Sequence, residues 1–158
     1  MSKFVVKTEL ETMMDVIKIV NKSKHETPKR ATEGSSGLDL RANIKGTITM
    51  APQTTELINT GIYLDMPVGY EAQVRPRSGV SLKTGLRIAN SPGTIDADYR
   101  GEIKIIVYNQ GITSLTIKDG DKIAQLVITK LPTYRIKEVK YEELSKTTRG
   151  AGGFGSTD

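Results

Sequence analysis

No cysteine and no tryptophan occur in this 158-residue chain, and histidine occurs once, at His25. The missing cysteines exclude disulfides, thiolate nucleophiles and cysteine-ligated zinc. A single histidine excludes a multi-histidine metal site and a histidine-based catalytic triad. Aromatic residues make up only 5% of the chain, where a single-strand binder built on stacking platforms usually shows more. No apolar run approaches the length of a membrane span. The stretch from Met1 to Met14 is broken by Lys3, Lys7, Glu9 and Glu11, so no signal peptide is expected there. Asn21-Lys22-Ser23 matches a glycosylation acceptor, which means little without a secretion signal. No repeat of solenoid period is present.

What the chain does have is charge of one sign in modest excess, a formal net charge of +5. That suits an anionic partner, nucleic acid or nucleotide phosphates, and equally suits a generally solvated surface. A hydrophobic content of 37% over this length fits one domain with a modest core. Short extended segments are expected at Met14 to Val20, Leu38 to Asn43, Thr55 to Met66 and Tyr70 to Arg75. Others are expected at Glu102 to Asn109, Leu115 to Ile117, Lys122 to Lys130 and Tyr134 to Val139. Gly and Pro punctuate them, at Gly61, Pro67, Gly69, Gly79, Pro92-Gly93, Gly101, Gly111 and Asp119-Gly120. Regular short strands with such breaks predict an all-β barrel or sandwich. Only Ser78 to Lys83 and Glu142 to Ser145 read as brief helical turns. The chain divides into an N-terminal extension, 1–13, a β-domain, 14–145, and a Gly-rich tail, 146–158. The tail holds one large apolar residue, Phe154, and cannot bury enough surface on its own to offset its ordering entropy.

Several constellations could carry chemistry. In the tail, Arg149-Gly-Ala-Gly-Gly-Phe-Gly-Ser-Thr157, glycine amides can cradle phosphate oxygens and Arg149 offers a permanent bidentate cation. Ser156 and Thr157 add hydroxyls, and Phe154 a flat face for a base. Composition alone fits a flexible solvated tail as well. Neither the dinucleotide pattern nor the Walker pattern holds there, since no helix follows and the lysine is absent. Arg75-Pro-Arg77-Ser78-Gly79-Val80-Ser81 is a second phosphate site or simply a basic turn. Gly93-Thr-Ile-Asp96-Ala-Asp98-Tyr99-Arg-Gly101 reads as a tight hairpin. Asp96 and Asp98, two apart, face opposite ways if extended, so they form no carboxylate dyad. One of them can polarise a water, or both are turn formers. Asp39, inside the apolar strand Leu38 to Ala42, needs water, a cation partner or a metal. Gln125, in Gly120-Asp-Lys-Ile-Ala-Gln125-Leu-Val127, needs hydrogen-bond partners, from substrate or from a neighbouring strand. His25 reads as a loop residue without a catalytic role.

Taken together in their order, these stretches resemble the five motifs of the trimeric dUTPase family. They are Ser36-Gly-Leu-Asp39-Leu-Arg-Ala42, Pro76-Arg-Ser-Gly-Val-Ser81, and Asn90 with Gly93-Thr-Ile-Asp-Ala-Asp-Tyr-Arg-Gly101. Gly120-Asp-Lys-Ile-Ala-Gln125 and the tail from Arg149 to Thr157 complete the set. The resemblance runs from about Ile17 to the C-terminus. It implies a distorted β-barrel or jelly-roll subunit in a homotrimer, with each active site shared between chains. One chain would give the first, second and fourth motifs, another the hairpin, and a third its exchanged C-terminal arm.

The activity implied is dUTP diphosphatase: water attacks the α-phosphorus of dUTP, giving dUMP and pyrophosphate. That limits uracil incorporation into DNA and supplies dUMP for dTTP synthesis. The resemblance assigns Asp96 to the attacking water, with Asn90 and Gln125 helping to position water and nucleotide. The backbone of Gly93, Thr94, Ile95 and Asp96 would pair with uracil, and Tyr99 would pack under the deoxyribose. Arg77, Ser78 and Gly79 would contact phosphates. Arg149, Gly152, Gly153, Gly155, Ser156 and Thr157 would close over them, with Phe154 stacking on the base. Asp39 would reach Mg²⁺ through water. Expected partners are the nucleotides, pyrophosphate and two further copies of the chain, with no stable nucleic-acid binding and no membrane, in the cytoplasm of the cell or of a host. The family often has Gly after the Ser-Thr pair, where this chain has Asp158. A dCTP deaminase of the same superfamily is the enzymatic rival, but the second motif and Asp96 fit it poorly. A non-catalytic dUTP sensor is the rival from outside enzymes.

Overall fold

A computed structural model describes residues 15–155. The N-terminal extension, 1–13, and the expected arm residues Ser156, Thr157 and Asp158 lie outside the described residues. Ten strands carry the fold: β1 Lys18–Asn21, β2 Leu38–Arg41, β3 Thr47–Met50, β4 Thr55–Asp65, β5 Tyr70–Arg75, β6 Leu86–Ile88, β7 Gly93–Asp96, β8 Ile103–Asn109, β9 Leu115–Lys118 and β10 Lys122–Lys130. One short helix, α1 Ser78–Lys83, and a single 3-10 turn at Tyr141–Glu143 complete the described elements. The all-β expectation therefore holds.

The strands form two four-stranded sheets, ordered β1-β4-β8-β6 and β2-β10-β5-β7, plus the ribbon β3-β9. All pairings are antiparallel. Alternation explains the packing. In β8, Ile103, Ile105, Val107 and Asn109 are buried while Lys104, Ile106 and Tyr108 turn outward. The inward residues meet Leu40, Ile58, Leu64, Val74, Ile117 and Leu126 in one apolar core. Buried polar groups are satisfied, as burial requires. The Asn109 amide donates to the carbonyls of Met50, Ala51 and Thr113, and the Thr60 hydroxyl donates to Ile103 O at 2.5 Å. Register slips in β4 between Asn59 and Ile62. There the Glu102 carboxylate accepts from the Thr60 and Gly61 amides at 3.2 and 2.8 Å, and Gly61 takes φ +70°, a bulge geometry that favours glycine.

Two departures from expectation concern partners. Gly93–Asp96 is a strand paired with β5, so it does not fold back on β8 as a simple hairpin. Tyr134 to Val139, expected as a strand, forms no ladder with any described residue. After Leu131 N donates to Gly69 O at 2.8 Å, the hydrogen bonds of the described tail are within the tail itself, such as Gly150 N to Thr147 O and Arg149 Nε to Gly152 O. Tyr134, Ile136, Tyr141, Leu144 and Phe154 are all exposed along it.

Candidate active site

The sheet β2-β10-β5-β7 positions most of the candidate residues. Leu40, Ala72, Val74, Ala124 and Leu126 turn into the core, so Asp39, Gln73, Arg75 and Gln125 beside them face outward. Register places Asp39 opposite Gln125, and Gln125 opposite Arg75. Further along, Gln73 stands opposite Thr94 and Glu71 opposite Asp96.

At one end of that face is a cationic cluster. The Asp39 carboxylate is held by Arg77 Nε and by Lys122 Nζ, each at 2.8 Å. Partial burial works against its ionisation, but the Lys122 ammonium and the Arg77 guanidinium outweigh it, so the carboxyl titrates below its ordinary value. Arg77 also donates to Lys122 O at 3.1 Å. Ser78 and Gly79 follow at once, exposed in the first turn of α1. The Gln125 amide donates to Pro76 O at 2.8 Å, in the loop just past β5, where a partner on a neighbouring strand was the expectation without substrate. A Cβ on Gly37 would lie 2.1 Å from Gln125 Oε1. Glycine there lets the glutamine side chain lie against the β2 backbone.

The second cluster is at the far edge. Asn90 lies against Gly93, whose added Cβ would meet Asn90 Nδ2 at 3.2 Å and Val74 Cβ at 3.3 Å. Asp96 ends β7 exposed, and a turn closed by Tyr99 N to Asp96 O at 3.1 Å follows. The Tyr99 hydroxyl donates to Glu102 O at 3.1 Å, and the phenol fills the space a side chain at Gly101 would need, its oxygen 2.3 Å and its ring 2.4 Å from an added Cβ. Thr94, Ile95, Asp96 and Tyr99 then line a concavity of about 320 Å³ with Leu57, Glu102, Lys104 and Ile106.

These clusters are separate within one chain. From β2 to β7 is three strand spacings, about 14 Å. The registers put Asp96 level with Glu71 and Thr129, four residues along β10 from Gln125, about 13 Å more. Asp39 and Asp96 thus stand on the order of 19 Å apart in the sheet. Arg149, Gly152, Gly153, Phe154 and Gly155 lie on the projecting tail, joined to neither cluster by a hydrogen bond. Among the described residues no three His, Asp or Glu side chains gather as a metal site. With two cations already on Asp39, the donor chemistry is that of an anion site beside one carboxylate, without a cage of oxygens for a hard cation. Sequence reasoning gave no role to Lys122, Gly37 or Lys104. The first two sit within the stretches quoted for the motifs, but only the fold shows what they touch.

The profile of the dUTPase family matches residues 23–158. The chain belongs to the dUTPase family. A deoxyuridine 5'-triphosphate nucleotidohydrolase of Neorickettsia sennetsu is 52% identical over 132 residues, 84% of this chain and 87% of that protein. Its namesake in Finegoldia magna is 50% identical over 141 residues, 89% and 97% of the two chains. Among solved structures, the dUTPase of Staphylococcus bacteriophage 80alpha with dUPNHPP superposes at a TM-score of 0.81 with 29% identity, over 92% of this chain and 99% of that one. A variant dUTPase from phage phi11 of S. aureus, solved for its coordination of a structural Mg(II) ion, gives 0.73 at 28% identity over 82% and 100%.

Proposed function

We propose that this dUTPase-family chain hydrolyses dUTP to dUMP and pyrophosphate, in a homotrimer whose active sites combine the two clusters from different subunits. The observation that carries the reading is the separation just described. The residues that match the family's motifs stand on opposite edges of one sheet, about 19 Å apart, so one nucleotide can engage both only if a second copy brings its own. The unpartnered tail, with Tyr134 and Ile136 at 72% and 90% exposure, fits an arm that orders against another copy.

In the proposed reaction, a water oxygen bonds to the α-phosphorus and passes its proton to the Asp96 carboxylate. The bond from that phosphorus to the bridging oxygen breaks, and pyrophosphate leaves with the electron pair. Asn90 and Gln125 orient water and nucleotide, while the β7 backbone from Gly93 to Asp96 reads uracil and Tyr99 supports the sugar. Charge growing on phosphate oxygens is met by Arg77, Ser78 and the Gly79 amide, and by Arg149 when the arm closes. Gly152, Gly153, Gly155, Ser156 and Thr157 add donors on that arm, and Phe154 covers the base. Mg²⁺ suits a triphosphate substrate, because such a cation takes phosphate oxygens and water as ligands and neutralises their charge. Asp39, already ion-paired, would reach it only through water.

Among the described residues no helix is long and apolar enough to cross a membrane; action on the cytoplasmic nucleotide pool is the proposed setting. The test is pyrophosphate release from dUTP, dTTP, dCTP and UTP. Rapid release from dUTP alone supports the reading, whereas release from none of them, or ammonia from dCTP, overturns it.

A further inference from the structure

We infer that His25 is a positioning residue for the triphosphate: it braces from behind the turn between β9 and β10, whose far side holds Lys122 and Arg77 in place for the outer phosphates. This rests on the proposed hydrolysis of dUTP with phosphates at the Arg77 cluster. The imidazole has only 17% of its side chain exposed, and no step of the proposed reaction uses it. Its surroundings fix it before any ligand arrives. His25 lies in the loop after β1, and Asn21, the last residue of β1, ties that loop together. The Asn21 amide donates to His25 O at 2.8 Å and to the Thr27 hydroxyl at 3.1 Å. Its oxygen accepts from the Ser23 amide at 2.9 Å and the Ser23 hydroxyl at 2.7 Å. The Ser23 hydroxyl oxygen in turn accepts from His25 N at 3.1 Å.

So anchored, the ring meets the turn at two points. Its Nε2 is 3.0 Å from Asp119 Oδ1. The ring also lies across Gly120, where an added Cβ would stand 3.2 Å from Cε1 and 3.6 Å from Nδ1. Gly120 takes φ +84°, so glycine there serves both the backbone and the ring. The other side of the turn leads into the cationic cluster. Gly120 N donates to Ala42 O at 2.8 Å and Ala42 N to Asp121 O at 2.9 Å, while Gly120 O accepts from Arg41 Nη1 at 2.9 Å. Lys122, two residues on, stands opposite Arg41 in the ladder. Its ammonium holds Asp39, and its carbonyl accepts from Arg77 Nη1. A displaced Gly120 therefore shifts Lys122 and, through it, Arg77. Lys24 provides a contrast. It too pairs with Asp119, at 2.8 Å, but it is 64% exposed, and the three atoms nearest an added Gly120 Cβ all belong to His25.

The test separates phosphate recognition from stability by comparing two ligands. The analogue dUPNHPP carries the outer phosphates, whereas dUMP carries only the phosphate next to the sugar, at the Asp96 cluster. In the full-length enzyme, His25→Leu should raise the dissociation constant of dUPNHPP about tenfold and that of dUMP less than about twofold, the scale of a slightly misplaced binding group. His25→Gln, whose amide nitrogen can reach Asp119 as the ring nitrogen does, should keep the wild-type ratio of the two constants. Lys24→Met, which also strips a partner from Asp119, should keep that ratio too. Where leucine at this position prevents folding, His25→Asn, polar and too short to reach Asp119, carries the same prediction. Calorimetric titration of both ligands reads these outcomes without turnover. An unchanged ratio in His25→Leu, a ratio lost equally in His25→Gln, or the same shift in Lys24→Met would overturn the inference. If wild-type enzyme hydrolyses dUTP while the ratios go against His25, only this inference fails.

Discussion

Asp96 and Asp39 show how position decides what a carboxylate can do. Asp39 is locked between two cations, and its ionisation serves to hold Lys122 at the start of β10 and Arg77 just before α1. Asp96 ends an edge strand, exposed and without a salt bridge among the described residues, as a group that must handle a water needs to be. Asp96→Asn should leave dUTP binding nearly intact and cut turnover at least ~10²-fold, read by kcat beside a direct binding titration. Gly37 gives a subtler case. A methyl there would collide with Gln125 Oε1, and the free end of that side chain can swing away. Gly37→Ala should therefore spare the fold but displace Gln125, lowering kcat by about ten- to a hundredfold, the scale of a misplaced site group. Comparison of melting temperature and kcat in the same preparation separates these effects.

His25, assigned no catalytic role by its sequence context, contributes instead to a structural cluster. Asp119 accepts from Lys24 at 2.8 Å, His25 Nε2 at 3.0 Å and the Ile44 amide at 3.1 Å. The Lys24 bond is the largest influence, and together these partners outweigh burial and hold Asp119 down to about 2. A lowered carboxyl stabilises the fold above its unfolded value near 4, and that stability is lost as pH falls toward 2. Asp119→Asn should melt below wild type at pH 6, with the gap closing between about pH 4 and pH 2. Thermal melts across that range would show it.

At the scale of elements, periodicity made most of the sheets legible. Tyr70–Arg75, Ser78–Lys83 and Lys122–Lys130 follow the sequence pattern at both ends, and β2, β4 and β8 fall within a residue or two of it. Thr47–Met50 and Leu86–Ile88 escaped because four and three residues carry too little alternation to stand out from turns. Tyr134 to Val139 alternates like a strand, yet a strand needs a neighbour, and periodicity names none. The candidate site was legible as motif order but not as geometry. Nothing in the spacing of Asp39, Gln125 and Asp96 reveals that β10 and β5 come between the outer two. The same reasoning sets an expectation for the tail. Removing residues 147–158 deletes Arg149 and the glycine-rich run but none of the described sheet residues. That truncation should keep its melting temperature and its oligomeric state, judged by light scattering, while losing dUTP turnover.

For the whole molecule, one chain holds the Asp39 and Asp96 clusters apart on opposite edges of one sheet, and the proposed function makes them two half-sites. It also leaves Val16, Val20, Leu57 and the tail residues Tyr134, Ile136 and Phe154 exposed. The proposed closed threefold assembly would let each copy offer one edge cluster to a neighbour and receive the other. The direct test mixes two inactive variants, Asp96→Asn and Arg77→Gln, by co-expression or by joint refolding. Shared sites predict that dUTP hydrolysis returns to about a quarter of the wild-type rate, because random assembly of equal amounts pairs two intact half-sites that often. A mixture no more active than its separate components would contradict the account.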